Sequence, residues 1–301
     1  MKIVISGLGR MGGQIARKLH EAGFSVAAHN RSAGPVEEMA KLGLFGAYSK
    51  KEAMEYFKKG EKIIIWIMVP ADAVEKELDE WLKLAPKESI FIDGGNSDYR
   101  ETKRHAEKVS FSGSTLIDVG TSGGVWGYKN GFSMMAGGEK SAFLFIQPFL
   151  EALSKPFGGY GYFGEPGSGH FVKMVHNAIE YGMMESLAEG YRLLKEGPYD
   201  NLDLVLAGDV WQKRSVITSW LNELTRDALK ENPEAEGVEG KVAELGETRF
   251  ALETAGALGI EMPAIQASFD VRIESQKGKI NFATKLLAMI RNAFGGHKIN
   301  N

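Results

Sequence analysis

Lys173, His176, Asn177, Glu180 and Tyr181 fall at the i, i+3, i+4, i+7, i+8 spacing of one α-helical face. That face offers an amine, an imidazole, a carboxamide, a carboxylate and a phenol. Lys173 and Glu180 are two turns apart, roughly 10 Å along the axis. A proton-accepting group and a proton-donating group would thus flank a short linear substrate. Phe171, Val172, Met174, Val175, Ala178, Ile179 and Met183 occupy the other positions and would hold the helix in the protein. The alternative is a solvated polar stripe on an amphipathic helix. An amide and an imidazole beside a Lys/Glu pair argue against it.

The elements that carry this row are of two kinds. Up to residue 163, strand and helix signals alternate. Apolar β-type runs occur at 2–6, 24–29, 63–68, 89–92 and 115–119, and 132–136 and 156–163 extend the series. Helical spacing appears at 11–22, 36–42 and 71–84. This βαβ rhythm predicts a doubly wound parallel sheet of Rossmann type. From 164 onward the signals are helical: 166–196, 202–229 with a break near 213–215, 248–258, and 263–291. The acidic, glycine-containing segment 231–246 reads as a surface loop. The expected organisation is α/β, with a dinucleotide-binding domain over 1–163 and an all-α substrate-binding and oligomerisation domain over 164–301.

Gly7-Leu8-Gly9-Arg10-Met11-Gly12 is a GxGxxG that follows a strand and opens a helix, the context that makes this motif a dinucleotide site. Gly7 would make the turn, Gly9 would admit the pyrophosphate to the helix N-terminus, and Gly12 would let helix and strand pack closely. The second strand ends at Asn30-Arg31-Ser32. A carboxylate there would hold the ribose hydroxyls of NAD. Asn30 with Arg31 favours NADP, because a guanidinium can pair with a 2′-phosphate. Met68 and Val69 follow the third long strand. Asn96 lies in Asp93-Gly94-Gly95-Asn96-Ser97, where Ser97 is a candidate helix cap, and Ser122-Gly123-Gly124 ends another strand. All three loops belong at the carboxyl edge of the sheet, where ligands bind.

Composition narrows the classes. With 44% apolar and 25% charged residues the chain is globular, and its net charge of −3 gives no reason to expect nucleic acid. No cysteine is present, so thiol chemistry and cysteine-ligated zinc are out. The six histidines show no metal-binding spacing. No apolar run is long enough to cross a bilayer and no signal-peptide pattern opens the chain, so a cytoplasmic protein is expected.

Taken together, the glycine loop, Asp93-Gly-Gly-Asn-Ser, Ser122-Gly-Gly, the Lys173-x-x-His-Asn-x-x-Glu-Tyr row and Arg291-Asn-Ala-Phe-Gly-Gly-His297 resemble the decarboxylating 6-phosphogluconate dehydrogenases. The resemblance covers most of the chain and is to the short form, without a duplicated helical half. It implies that Lys173 takes the proton of the 3-hydroxyl as hydride leaves C3. Lys173 must be neutral for that step, which burial or nearby cations favour. It further implies that Glu180 protonates C2 after CO2 is lost, and that no metal takes part. Asn96, Ser122, Gly123, Gly124, His176 and Asn177 would hold the carboxylate and hydroxyls. Tyr181, Arg249, Arg272, Arg291 and His297 would hold the phosphate. Where the long enzymes carry Gly-Lys-Trp-Thr, this chain has Thr248-Arg249-Phe250-Ala251; Arg249 can replace the lysine, but Ala251 supplies no hydroxyl.

Two other readings compete. A β-hydroxyacid dehydrogenase of the 3-hydroxyisobutyrate type would explain Lys173 but leave Glu180, His176 and the C-terminal Arg/His signature without work. A non-catalytic dinucleotide sensor needs no Lys/Glu pair. The resemblance also implies a homodimer or homotetramer in which the C-terminal signature completes a neighbour's site.

Overall fold

The computed structural model describes residues 1–296. Candidate site residue His297 lies outside the described residues. The chain divides into two compact units, Met1–Met174 and a second beginning at Val175.

The first unit is built on eight strands: β1 (Lys2–Ser6), β2 (Ser25–His29), β3 (Phe45–Ala47), β4 (Ile64–Ile67), β5 (Ile90–Asp93), β6 (Thr115–Ser122), β7 (Ser133–Gly138) and β8 (Gly159–Tyr162). They form one sheet in the order β3-β2-β1-β4-β5-β6-β7-β8. Helices α1 (Arg10–Glu21), α2 (Ala33–Lys41), α3 (Lys50–Glu55), α4 (Ala71–Leu82), α5 (Tyr99–Phe111), the one-turn α6 (Gly127–Asn130) and α7 (Lys140–Ser154) connect them. β1, β4 and β5 are buried along their whole apolar runs or nearly so, as expected of strands covered on both faces. One apolar core includes Ile3, Ile15, Leu19, Phe149 and Leu150, and another includes Val4, Ile65, Trp81 and Val109.

The sheet is parallel except at one place. β7 runs antiparallel to β6. The segment between them holds only a 3-10 turn and α6, too short for a helical crossover.

Sequence periodicity did not indicate α5 or α7. α5 buries Thr102 and His105 beside Val109, so polar residues occupy its inner face. α7 carries Pro148 and leaves Leu144 and Phe145 exposed, which blurs its period.

α8 (Ser168–Glu196) begins in the first unit. The second unit continues with α9 (Leu204–Trp211), α10 (Trp220–Glu231), α11 (Glu247–Ala257), α12 (Pro263–Gln276) and α13 (Phe282–Gly295). The break expected near 213–215 falls between α9 and α10. The run 263–291 is two helices, because Gly278 takes a positive φ of 94° and Asn281 starts α13 with a capping box. Segment 231–246 is a loop, but not one confined to the surface: Ala235, Val238 and Val242 join the core of Leu224, Leu286 and Ile290.

Candidate active site

Ser6, Ile67, Asp93 and Asp118 stand side by side in neighbouring strands. The glycine loop, Met68-Val69 and Asn96 therefore leave the sheet along one carboxyl edge. β1 lies between β2 and β4, the switch point where such sheets open a crevice.

The glycine loop is built for its place. Gly7 has φ of 103°, and a Cβ there would lie 2.4 Å from the Met68 carbonyl oxygen. A Cβ on Gly12 would lie 1.9 Å from the Gly7 carbonyl oxygen, so helix and loop can touch only through glycine. Around Gly9 nothing lies within 4 Å of where a Cβ would sit, and as the N-cap of α1 it has no side chain to cap the helix. The first N–H groups of a helix lack intrahelical partners. Open space beside such a helix end suits a pyrophosphate, so these residues fit a dinucleotide. Asn30 Oδ1 accepts from the Leu8 N–H at 3.0 Å, and its Nδ2 donates to the Ser32 hydroxyl at 3.1 Å. Asn30 thus ties the glycine loop to the end of β2. Arg10, Arg31 and Ser32 are exposed, and Met11, Met68 and Val69 are half-buried.

The Asp93 carboxylate shapes the next loop. It accepts from the Gly95 N–H at 3.1 Å and from the Ser97 hydroxyl at 2.8 Å. Ser97 does not cap α5, contrary to the sequence expectation. That role falls to Asp98, which accepts from the Arg100 N–H, while Ser97 turns inward to Asp93. Asn96 is exposed at the loop's tip, and Ser122, Gly123 and Gly124 are half-buried at the end of β6.

Lys173 lies on α8 and is only 6% exposed. Its seat depends on Gly120: a Cβ there would lie 2.3 Å from the Lys173 Cβ and 2.9 Å from its Cγ. Asp118 anchors the start of the same helix. Its buried carboxylate accepts from the Gly167 N–H and the His170 N–H, both at 2.8 Å. The His170 Nδ1 pairs with the Thr102 hydroxyl at 2.7 Å. Asp118 and Gly120 belong to the stretch 118–124, which reads from sequence as a ligand-side loop; that they, with Thr102, support α8 carries no signal in a strand carboxylate or a strand glycine.

Further along α8, His176 Nδ1 lies 3.0 Å from Asn177 Oδ1 and 3.9 Å from Glu180 Oε2. Asn177 Nδ2 donates to Glu247 Oε1 at 3.2 Å. Glu247 opens α11 and is buried; it directly precedes Thr248-Arg249, yet no residue pattern marks Glu247 itself.

Tyr181, Arg272 and Arg291 come together in the second unit. The Arg272 guanidinium lies 3.2 Å from the Tyr181 ring centroid, a cation–π contact. The Tyr181 hydroxyl accepts from the Leu245 N–H at 3.3 Å. Arg272 is 2% exposed, and burial pulls its pKa down to about 10. Arg291 is also buried, its pKa is lowered by that burial, and its Nη2 has no hydrogen-bond partner. Nearby, the buried Thr248 hydroxyl has no hydrogen-bond partner either. An unfilled cationic donor out of water is costly unless a ligand satisfies it, so this cluster is a candidate anion site. Arg249 is directed elsewhere: it is exposed, and its Nη2 pairs with Glu244 Oε2 at 2.5 Å. Among the described residues no cluster of three or more His, Asp or Glu is arranged to hold a metal, and no helix is long and apolar enough to cross a membrane.

Comparison with known proteins gives consistent results. Residues 2–164 match the NAD binding domain of 6-phosphogluconate dehydrogenase, and residues 169–298 match the 6-phosphogluconate dehydrogenase C-terminal domain. The chain is 35% identical to a putative 6-phosphogluconate dehydrogenase of Bacillus subtilis, over 99% of this chain and 98% of that one. It is 36% identical to the NAD(+)-dependent, decarboxylating 6-phosphogluconate dehydrogenase of Haloferax volcanii, with the same coverage. Among solved structures, it resembles the Plasmodium falciparum 6-phosphogluconate dehydrogenase, studied with its cofactor NADP+ and its substrate. The TM-score is 0.82 at 26% identity, over 97% of this chain and 71% of that one.

Proposed function

We propose that this chain, which belongs to the 6-phosphogluconate dehydrogenase family, oxidises 6-phosphogluconate and releases CO2, leaving ribulose 5-phosphate. The observation that carries the reading is the buried Arg272–Arg291 pair with a donor to spare. A small unphosphorylated acid would leave that pair without a ligand, which disfavours the 3-hydroxyisobutyrate type.

Bound NAD(P) supplies the hydride acceptor for C3. Lys173, enclosed beside Gly120, accepts the 3-hydroxyl proton as the C–H bond breaks. The resulting 3-keto acid loses its carboxylate as CO2, and the bonding pair moves toward the ketone oxygen, which Lys173, now protonated, neutralises. A β-keto acid has its own electron sink, so this step needs no metal. Glu180 gives a proton to C2 of the enediol. His176 and Asn177 orient the substrate hydroxyls, with Glu247 holding the Asn177 amide. Asn96, Ser122, Gly123 and Gly124 bind the carboxylate end. Arg272, Arg291, Tyr181 and His297 bind the phosphate, with Arg249 an outer contributor once released from Glu244.

NADP is preferred over NAD: Arg31 is exposed at the end of β2, beside an Asn30 that brings no negative charge. The active unit is a homo-oligomer, a dimer or a tetramer. Ile179 and Met183, one turn apart on α8, are 51% and 45% exposed rather than packed inside as their apolar spacing predicts, and they suit a second copy of the chain. Mixing Lys173→Met and Arg291→Ala subunits should then regenerate activity, which separate sites would not allow. We place the enzyme in the cytoplasm, with the cofactor pool it uses.

The deciding experiment follows absorbance at 340 nm with 6-phosphogluconate and each cofactor while CO2 is collected. Reduced cofactor and CO2 should appear in equal amounts. Reduction without CO2 would exclude oxidative decarboxylation.

A further inference from the structure

Glu185 lies on α8 one turn after Tyr181, yet it faces inward. It is 6% exposed, and its Oε2 has no hydrogen-bond partner. Among the described residues its charged neighbours are two. Glu189, on the next turn of α8, is exposed; Arg272, on α12, is buried. Among the described residues no carboxylate forms an ion pair with Arg272, whose other charged or titratable neighbours are Tyr181, Arg291 and Glu180. A carboxyl group thus stands near Arg272 without being paired to it. The proposed reaction assigns it no role.

We propose that Glu185 is a positioning residue whose protonation is linked to phosphate binding: the bound phosphate favours its neutral acid form, and ionised Glu185 weakens the phosphate site. The inference rests on the reading of Arg272 and Arg291 as phosphate ligands. An ionised Glu185 would offset part of the Arg272 charge and repel a phosphate dianion held by the same guanidinium. A neutral Glu185 leaves the full cationic field to the ligand. Burial, reinforced by Glu189, raises the Glu185 pKa to about 7, so the transition falls in the working range of pH. By linkage, a substrate that raises this pKa by one unit binds about tenfold more weakly once pH has passed both values.

Three variants of the full-length enzyme test this between pH 6 and 9. In the wild type, KM for 6-phosphogluconate should rise about tenfold with pH, while kcat follows a separate profile. Glu185→Gln keeps the shape of the side chain and should flatten the KM rise. Glu189→Gln leaves the core untouched and should move the inflection to lower pH, which guards against a Glu185 variant that does not fold. Calorimetric titration with 6-phosphogluconate in buffers of different ionisation enthalpy should show proton uptake near pH 7 that Glu185→Gln abolishes. Superimposable KM profiles in wild type and both Gln variants, or undiminished uptake in Glu185→Gln, would overturn the proposal. Arg272→Met separates this failure from that of the underlying reading: if KM is unchanged in Arg272→Met at every pH, the phosphate does not bind here at all.

Discussion

The two units prepare their sites by opposite means. In the first, function rests on what the backbone leaves out. Gly7, Gly12 and Gly120 each occupy a place where a Cβ would strike a neighbour at 2.4 Å or less. The carboxylates there, Asp93 and Asp118, are spent on backbone N–H groups and a hydroxyl. In the second unit, the proposed site rests on what the side chains leave unmet. Arg272 and Arg291 are buried, Arg291 and Thr248 have unpaired polar atoms, and Glu185, a neighbour of Arg272, has an unbonded Oε2. The glycine contacts and the Asp93 and Asp118 bonds of the first arrangement are made before any ligand arrives, although Ser168 Oγ and His170 Nε2 stay buried and unbonded there; the buried arginines of the second stay costly until a ligand meets them. Mutations should therefore separate the two means. Enlarging the glycines of the first unit should lose both activity and order. Removing the unmet groups of the second should lose activity while gaining stability.

The largest effect belongs to Lys173. Lys173→Met should abolish cofactor reduction and leave dinucleotide binding nearly intact, since the glycine loop is untouched. Glu180→Gln should lower turnover by roughly 10²–10⁴-fold, the range for a lost general acid. Gly120→Ala sharpens the contrast, because its methyl would collide with the Lys173 stem and neither can yield without moving the sheet or α8. It should lower both kcat and the melting temperature. An alanine variant with wild-type turnover would show that the lysine's seat is not set by that glycine.

Arg291→Met comes next and bears most directly on the comparison. Hydrogen bonds to charged groups contribute about 1.5–3 kcal/mol, so KM for the phosphorylated substrate should rise roughly 10- to 150-fold. Removing a buried, incompletely bonded guanidinium should leave the ligand-free protein as stable as before or more so. Thermal melts without substrate decide it. A marked loss of stability would make Arg291 a structural residue and erase the distinction between the units.

The same contrast explains what the sequence could reveal. Backbone-built sites need glycines at fixed spacing after strands, and those are visible as residue types. Hence the glycine loop, the strand-end loops and the βαβ order were all legible. The α8 row was legible because its spacing is local. Side-chain supports were not, since their partners lie far away in the chain. Asp118 meets the start of α8 about fifty residues later, as the separations of 49 and 52 show. Glu247 meets Asn177 across 70 positions. Glu185 and Glu247 read as ordinary solvated carboxylates until the fold buries them. α5 escaped notice for a related reason: its inner face holds Thr102 and His105, so apolar periodicity, which assumes an apolar inside, had little to register.

The smallest effect concerns cofactor choice, where the first unit's preorganisation sets the limit. Asn30 does two things at once: its oxygen accepts from Leu8 N–H, and its nitrogen donates to the Ser32 carbonyl and hydroxyl. Asn30→Asp keeps the acceptor for Leu8, so the loop should hold its shape. It loses the donor, but the Ser32 hydroxyl can rotate and donate instead. What changes is charge, since a carboxylate now faces the place where Arg31 would meet a 2′-phosphate. One lost or repelled contact of this kind is about 1–3 kcal/mol, so kcat/KM for NADP should fall roughly 5- to 150-fold relative to NAD, with kcat nearly constant. Measuring both cofactors on both proteins isolates the ratio from any general damage. If the ratio does not move, the 2′-phosphate is not read at the end of β2. If kcat collapses with both cofactors, Asn30 serves the glycine loop alone and the carboxylate has disturbed it.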